Sequence, residues 1–174
     1  LTDRLVALAR SLAGDGIVVT YNVSLDGLGE THDRTRGVPR AAERALRSIE
    51  ELAALRREGL RLKVGVNYLV MEETAAECGD VHGFCRERRI AFNPIMPMTG
   101  EIYDNEGAEF PLSDETRRSL IERFEAFLRE EPGETLAYSE IVRQLRGEPR
   151  DFRCWAGRII LLIEEDGEVY PNGG

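Results

Sequence analysis

The chain has 174 residues, with 23 lysines and arginines against 32 aspartates and glutamates, and therefore a net charge of −9. Its length fits one domain, or one domain with a small addition, and its 42% of hydrophobic residues argues against disorder. The acidic balance argues against a nucleic-acid partner, because proteins that bind phosphate backbones concentrate positive charge. No apolar run approaches about 18 residues and no signal peptide is visible, so we expect no membrane span and a cytoplasmic protein.

The sequence opens at Leu1 without an initiating methionine, already inside a helical pattern, so we expect a piece of a longer protein. Its three cysteines, Cys78, Cys85 and Cys154, have spacings that match neither a disulfide framework nor a zinc site. They favour reduced thiols or the remnant of a metal site.

Hydrophobic periodicity and turn signals predict alternating helices and strands. In chain order they predict a helix over 2–13, a strand over 17–23, a polar loop over 28–37, a helix over 38–58, a strand over 61–70, a helix over 72–88 and a strand over 90–96. After a loop over 97–112 come a helix opened by Ser113, a helix over 135–146 and a hairpin that turns at Asp166-Gly167. The alternation implies βαβ units with parallel strands.

The first two predicted strands each have one apolar and one polar face. Alternation puts together Thr20, Asn22 and Ser24 in the first strand, and Lys63, Gly65 and Asn67 in the second. Buried polar groups need partners, and a polar ligand across the strand ends would supply them. An antiparallel sheet with one wet face is the alternative. The helices between the strands favour a partial α/β barrel with a polar interior, whose site lies at the carboxyl ends of the strands.

These residues resemble a known family. Ser24-Leu25-Asp26-Gly27, then His32-Asp33 and Arg36-Gly37 before a long helix, then a strand that carries Asn67, resemble the second half of the radical S-adenosylmethionine (SAM) enzyme barrel. Cys154-Trp155-Ala156-Gly157, Ile163, Asp166-Gly167 and Tyr170-Pro171 resemble the start of the SPASM or twitch extension that follows this barrel in many members. The resemblance covers nearly the whole chain.

The resemblance implies an α/β fold in three parts. Residues 1–112 would be a partial (β/α)6 barrel that supplies strands four to six, residues 113–150 a helical connector, and residues 151–174 a truncated SPASM/twitch-like β-hairpin. In this family a [4Fe–4S] cluster on three cysteines cleaves SAM, and the resulting 5′-deoxyadenosyl radical abstracts a substrate hydrogen. The substrate would be a peptide or a small molecule, and a reductant protein would deliver the electrons.

The family's SAM contacts can be carried over residue by residue. The matching positions are Ser24, Arg36, Asn67, Asn93 and Met96. Ser24 and Asn67 would contact the ribose and methionyl parts of SAM, Arg36 the methionyl carboxylate, and the segment from Asn93 to Met96 the adenine. Cys154 matches a metal ligand of the extension.

Two departures from the family pattern concern the metal. The Cys-x-x-x-Cys-x-x-Cys loop does not occur in this sequence, so we expect the complete protein to be an enzyme and this chain alone to be inactive, with neither SAM nor cluster bound. Asn172 stands where the extension usually has a cysteine, which leaves Cys154 alone and argues against an auxiliary cluster.

Two other functions stay open at this stage. The chain could be a noncatalytic α/β binding or regulatory module whose exposed strand edges pair with another chain, and such edges would also favour a homodimer. An aldolase-type barrel would need a Schiff-base lysine, but the only lysine, Lys63, lies early in its strand.

Several other polar residues have structural interpretations. We expect Asp26 to bond backbone amides of its own loop, and His32 and Asp33 to serve in a loop or a helix cap. Cys78 and Cys85 share one helix face and should be small core residues, while His82 should lie at the surface.

Overall fold

The computed structural model describes residues 2–14, 18–100, 105–131, 133, 135–149, 161–163 and 169–171. Its helices are α1 (Thr2–Gly14), α2 (Glu30–Arg36), α3 (Ala41–Arg57), α4 (Cys78–Arg88), α5 (Asp114–Glu130) and α6 (Thr135–Leu145). Its strands are β1 (Val19–Ser24), β2 (Leu62–Leu69), β3 (Ala91–Ile95), β4 (Leu161–Ile163) and β5 (Val169–Pro171). None of the helices within these ranges is long and apolar enough to cross a bilayer.

The first three strands form a parallel sheet in the order β1-β2-β3. This pairing confirms the predicted βαβ units and contradicts the antiparallel alternative. Ser24 is the register partner of Asn67, which in turn is the partner of Asn93. Strands β4 and β5 pair antiparallel, as the predicted C-terminal hairpin requires, while its Asp166-Gly167 turn lies outside the described residues.

The two faces of the sheet differ as the alternation predicts. Val64, Val66 and Tyr68 of β2 and Phe92 of β3 are at most 5% exposed and belong to the hydrophobic core beneath the helices. Burying such a side chain stabilises the fold by about 1.5–3 kcal/mol. The opposite face carries the polar residues of the strands, so the sheet separates the core from a polar surface.

Helix α2 (Glu30–Arg36) lies within the segment 28–37, where the sequence predicts a polar loop. Its residues, Glu-Thr-His-Asp-Arg-Thr-Arg, contain no aliphatic side chain, so hydrophobic periodicity cannot reveal it. Gly37, with φ of 62°, ends the helix in the left-handed conformation that glycine adopts readily.

Helix α3 begins at Ala41, three residues later than predicted. Arg40 has φ of 59°, which interrupts a helix that would otherwise start at residue 38. The Asp33 carboxylate accepts hydrogen bonds from the N–H groups of Arg40, at 2.7 Å, and Ala42, at 2.8 Å. These bonds confirm the capping interpretation of Asp33.

The helix predicted over 72–88 also starts late, with a single 3₁₀ turn over Ala75–Glu77 ahead of α4. The delay has a local cause. The Thr74 hydroxyl donates to the carbonyl of Leu69 at 2.6 Å and accepts from the N–H of Met71 at 3.0 Å, which holds these residues in a non-helical turn.

The surface position predicted for His82 is wrong. The residue is 3% exposed, its ring stacks on Phe127 with centroids 3.7 Å apart, and its Nε2 lies 3.1 Å from Glu131 Oε1. Phe127 belongs to α5 and Glu131 follows it. The packing of α5 over α4 cannot be predicted from the sequence of α4. Burial therefore lowers the pKa of His82, because the charged ring would lose hydration.

Cys78 and Cys85 are core residues, as predicted. Both are at most 1% exposed, and burial raises the pKa of each thiol to about 12. The thiols are therefore neutral packing groups at physiological pH.

The lowered pKa of His82 predicts a pH dependence of stability. Below about pH 6.5 the His82 ring is protonated in the unfolded chain but stays neutral in the folded chain. The free energy of unfolding should therefore fall as the pH drops. His82→Phe keeps an aromatic ring against Phe127 and should flatten this fall between about pH 7 and pH 5. Urea unfolding at each pH measures the slope. His32, the other histidine, is present in the wild type and in the variant, so it contributes equally to the pH dependence of both. Equal slopes of unfolding free energy against pH in the two proteins would contradict the prediction.

Candidate functional site

Three asparagines, one from each strand, meet on the polar face of the sheet. The Asn93 amide Nδ2 lies 3.3 Å from Asn22 Oδ1 and 3.4 Å from Asn67 Oδ1, so it donates toward both neighbours. We call Asn22, Asn67 and Asn93 the amide row. Each amide carries two donors and an acceptor oxygen with two lone pairs, more than these contacts use. The row can therefore bond an uncharged polar ligand above the sheet.

Gly65, in the middle strand, makes the amide row possible. A Cβ atom at this position would lie 2.6 Å from Asn22 Oδ1 and 2.7 Å from Asn93 Nδ2, closer than such atoms approach. The missing side chain lets the two amides meet above the backbone of β2. Asn22 is not among the predicted site residues, although its place on the polar face, two residues before Ser24, was the available signal.

The register brings three predicted site residues together. Ser24, Asn67 and Asn93 are level across β1, β2 and β3. Register partners in a parallel sheet project to the same face. Ser24 is half-buried at the end of β1, next to the loop that follows the strand. These three residues thus share one side of the sheet near its carboxyl edge.

Asp26 ties together the segments that surround this edge. Its fully buried carboxylate accepts a hydrogen bond from the N–H of Leu69 at 3.0 Å through Oδ1, and Oδ2 lies 2.8 Å from Arg36 Nη2. Its own N–H donates to His32 Nδ1 at 3.0 Å. The expectation that Asp26 bonds amides of its own loop is therefore wrong, because the carboxylate reaches the end of β2 instead.

The surroundings of Asp26 keep its carboxylate ionised. Burial opposes ionisation, but the hydrogen bond from the Leu69 N–H and the charge of Arg36 outweigh it, and the pKa of Asp26 lies below its ordinary value. The buried negative charge thus has Arg36 as its counter-ion.

Arg36 and Met96 border other parts of the molecule. The Arg36 side chain is 34% exposed and lines a cavity with Val23, which lies on the apolar side of β1, opposite Ser24. Met96 follows β3, packs partly against the core and borders a cavity of about 290 Å³ with residues of α6, among them Leu136. Neither residue belongs to the amide row.

The described residues do not fit an iron–sulfur cluster. Within the described ranges, no three histidine, cysteine or acidic side chains are grouped to hold a metal. Cys78 and Cys85 face the core, and the predicted ligand Cys154 lies outside the described residues.

Gly65→Ala should separate the amides of Asn22 and Asn93, because the added methyl group would collide with both. The colliding atoms are the ends of one exposed and one half-buried side chain, which can rotate away, so we expect a loss of at most about 1 kcal/mol in the free energy of unfolding, less than at an overpacked core site. Gly83→Ala is the matched control, since a Cβ there meets nothing within 4 Å and alanine favours the helix. Chemical denaturation measures both, and equal effects of the two substitutions would contradict this account.

Asp26→Asn should leave Arg36 without its counter-ion. We expect a loss of about 3 kcal/mol at neutral pH, near the lower end for a broken buried pair because Arg36 is partly exposed. The pKa of Asp26 is lower in the folded chain than in the unfolded chain. The ionised carboxylate therefore stabilises the folded state above about pH 3.8, and this contribution is lost as the pH falls further. Urea unfolding against pH should show the gap between wild type and variant closing in acid. Asp80→Asn, an exposed position on α4, serves as the control.

Comparison with known proteins identifies similar folds. No protein-family model and no curated protein matches the chain. Solved structures of anSMEcpe, an anaerobic sulfatase-maturating radical SAM enzyme, do match. "Native anSMEcpe with bound AdoMet and Kp18Cys peptide" matches with a TM-score of 0.56 at 16% identity, over 95% of this chain and 47% of that chain. "Native anSMEcpe with bound AdoMet and Cp18Cys peptide" matches with a TM-score of 0.55 at 17% identity, again over 95% of this chain and 47% of that chain.

At this level of identity the likeness is one of fold. The chain spans about half the length of the structures it matches. Its three parallel strands and flanking helices are compatible with part of a radical SAM barrel. The chain therefore has a mixed α/β fold similar to part of a radical SAM enzyme.

Proposed function

We propose that this chain is part of a radical SAM iron–sulfur enzyme and supplies strands four to six of its barrel. The observation that carries the proposal is the level row of Ser24, Asn67 and Asn93 on the polar face of a parallel sheet. The likeness to structures that contain AdoMet supports it. In this proposal the barrel covers residues 1–112, the helical connector 113–150 and the SPASM/twitch-like hairpin 151–174.

The polar face suits an adenosyl ligand. Asn67 and Asn93 present neutral amides, which bond hydroxyl groups and ring nitrogens without requiring charge, and Ser24 adds a hydroxyl. Gly65 leaves room above β2 for the amides of Asn22 and Asn93 to meet, so that these amides, and not a side chain of residue 65, face the ligand. Ser24 and Asn67 would hold the ribose and methionyl parts, and the segment from Asn93 to Met96 would lie near the adenine, with Asn93 on the polar face and Met96 on the side of α6.

Arg36 would neutralise the methionyl carboxylate. Its guanidinium has five N–H donors, and the contact with Asp26 engages one of its nitrogens. Asp26 fixes the guanidinium in position and Arg36 in turn keeps donors for a second carboxylate. The buried Asp26 would thus act as a positioning residue for this contact.

In the complete protein, a reduced [4Fe–4S] cluster beside SAM would supply the radical chemistry that removes a substrate hydrogen. The cluster ligands would come from outside the described residues, with Cys154 as a further metal ligand in the complete protein. In this proposal the polar side chains of β1–β3 bind and orient SAM.

Some of the matching structures contain peptides, which supports a peptide as the substrate, with a small molecule as the alternative. The electrons would come from a reductant protein. Within the described part of the chain, β1 and β3 each pair only with β2, so each has an open edge. In the proposed enzyme the rest of the barrel covers these edges, whereas in the alternative, a noncatalytic module, another chain or a second copy pairs with them.

The complete protein, reconstituted anaerobically with iron and sulfide, should release 5′-deoxyadenosine from SAM when dithionite is added. Ser24→Ala and Asn67→Ala should each raise the KM for SAM by about tenfold, the effect of losing one good hydrogen bond to the ligand. Ser119→Ala, at an exposed position on α5, is the control. Mass spectrometry quantifies the product.

Absence of 5′-deoxyadenosine from the cluster-loaded wild-type protein would overturn the proposal. If light scattering then showed a dimer, the module that pairs through its strand edges would be the better account.

A further inference from the structure

A cavity of about 430 Å³ lies between α1 and α3, next to the end of β1. Three arginines line it: Arg36 from α2, and Arg44 and Arg47 from α3. Asp3 of α1 is the one acidic residue of the lining. Asp26, behind the lining, already balances the charge of Arg36. With these five side chains charged, the region of the cavity carries a charge of about +1 in a chain whose net charge is −9. This local reversal of sign favours an anionic ligand.

The acidic groups near these arginines neutralise them poorly. Asp3 lies 3.5 Å from Arg47, and the two side chains are 92% and 65% exposed, which makes this a weak, solvent-screened pair. Glu43, the acidic residue next to Arg44 in the chain, accepts from Arg40 at 2.7 Å through each of its oxygens. Glu43 also interacts with the charges of Arg44 and Arg47, but Arg40 engages both of its oxygens, so these two arginines keep N–H donors for an incoming anion.

Arg36 gives the cavity one guanidinium that is already held in place. Asp26, which is completely buried, lies 2.8 Å from its Nη2 atom. A ligand that meets this guanidinium does not have to order a free side chain, and this lowers the entropic penalty of binding. Arg44 and Arg47 stand three residues apart on α3 and so share one face of that helix.

Part of the lining is apolar. Val23, Val38, Ala41 and Ala45 contribute aliphatic surface between the arginines. A bare inorganic anion would leave this surface in contact with water. The combination of guanidinium groups with an apolar wall suits a ligand that has an anionic head and an apolar body.

We propose that this cavity binds an organic phosphate, with its phosphoryl group on Arg44 and Arg47, near Arg36, and its apolar body against Val23 and Ala45. One guanidinium group can donate two parallel hydrogen bonds to two phosphate oxygens. A phosphate dianion has enough charge and enough oxygens to bind more than one guanidinium group. A carboxylate carries one charge and two oxygens and satisfies the cavity less well. The cavity is distinct from the amide row, and the two arginines that hold the phosphoryl group, Arg44 and Arg47, have no part in the proposed SAM site; only Arg36 is common to both proposals.

Calorimetric titration of the 174-residue chain at low ionic strength tests the proposal, with phenyl phosphate, benzoate and inorganic phosphate as probes. Phenyl phosphate should bind with a Kd of about 1 mM or below, and more tightly than either of the other two. Arg44→Ala and Arg47→Ala should each weaken it by about fivefold to tenfold. Arg57→Ala removes the same charge from the exposed far end of α3 and should leave the affinity unchanged.

Two further readouts keep the test decisive. Thermal melting shows whether each variant is folded, and Arg44→Gln replaces Arg44→Ala if the latter is not. Phenyl phosphate should shift the backbone amide resonances of Ala41 and Ala45 in nuclear magnetic resonance spectra of the wild-type chain. Three results would overturn the site: no binding of phenyl phosphate at about 10 mM, an equal loss in Arg57→Ala, or benzoate binding as tightly as phenyl phosphate.

Discussion

The buried carboxylate of Asp26 is the contact on which the carboxyl edge of the sheet depends. Asp26 lies in the loop that follows β1. Its carboxylate accepts a hydrogen bond from the N–H of Leu69 at the end of β2 and lies against the guanidinium of Arg36. A buried charge is tolerated only when it is paired and hydrogen-bonded, so these partners must stay together for the fold to persist. The ends of the two strands and helix α2 are thereby held in one arrangement, and the candidate site inherits that rigidity.

The two faces of the sheet carry different kinds of side chain. One face supplies the core, where Tyr68 and Phe92 pack beneath the helices. The other brings Asn22, Asn67 and Asn93 together across Gly65, whose missing side chain leaves room for the amides. In our proposals the neutral amide row on one side takes the uncharged adenosyl part of SAM, and the guanidinium-lined cavity on the other takes an anion.

Sequence reasoning succeeded where a residue's environment follows from its neighbours in the chain. Alternation identified the polar face that holds Asn67, and the spacing of Cys78 and Cys85 identified them as core residues. It failed where the environment comes from another element. His82 is buried because α5 folds over α4, and α2 escaped notice because its stability does not come from an apolar stripe of its own. Asp26 finds its partner 43 residues away, a contact that no local pattern reports.

The sequence by itself determined the alternation of helices and strands and the two-faced character of the strands, because these follow from periodicity. It also favoured parallel pairing, because helices separate the strands and supply the long crossover that parallel neighbours need. Only the tertiary structure decided which asparagines meet, that Arg36 pairs with Asp26, and that three arginines from two helices share a cavity. Those relations depend on strand register and helix packing. Register and packing are set by side chains far apart in the chain, which come within reach of one another only after the core has formed.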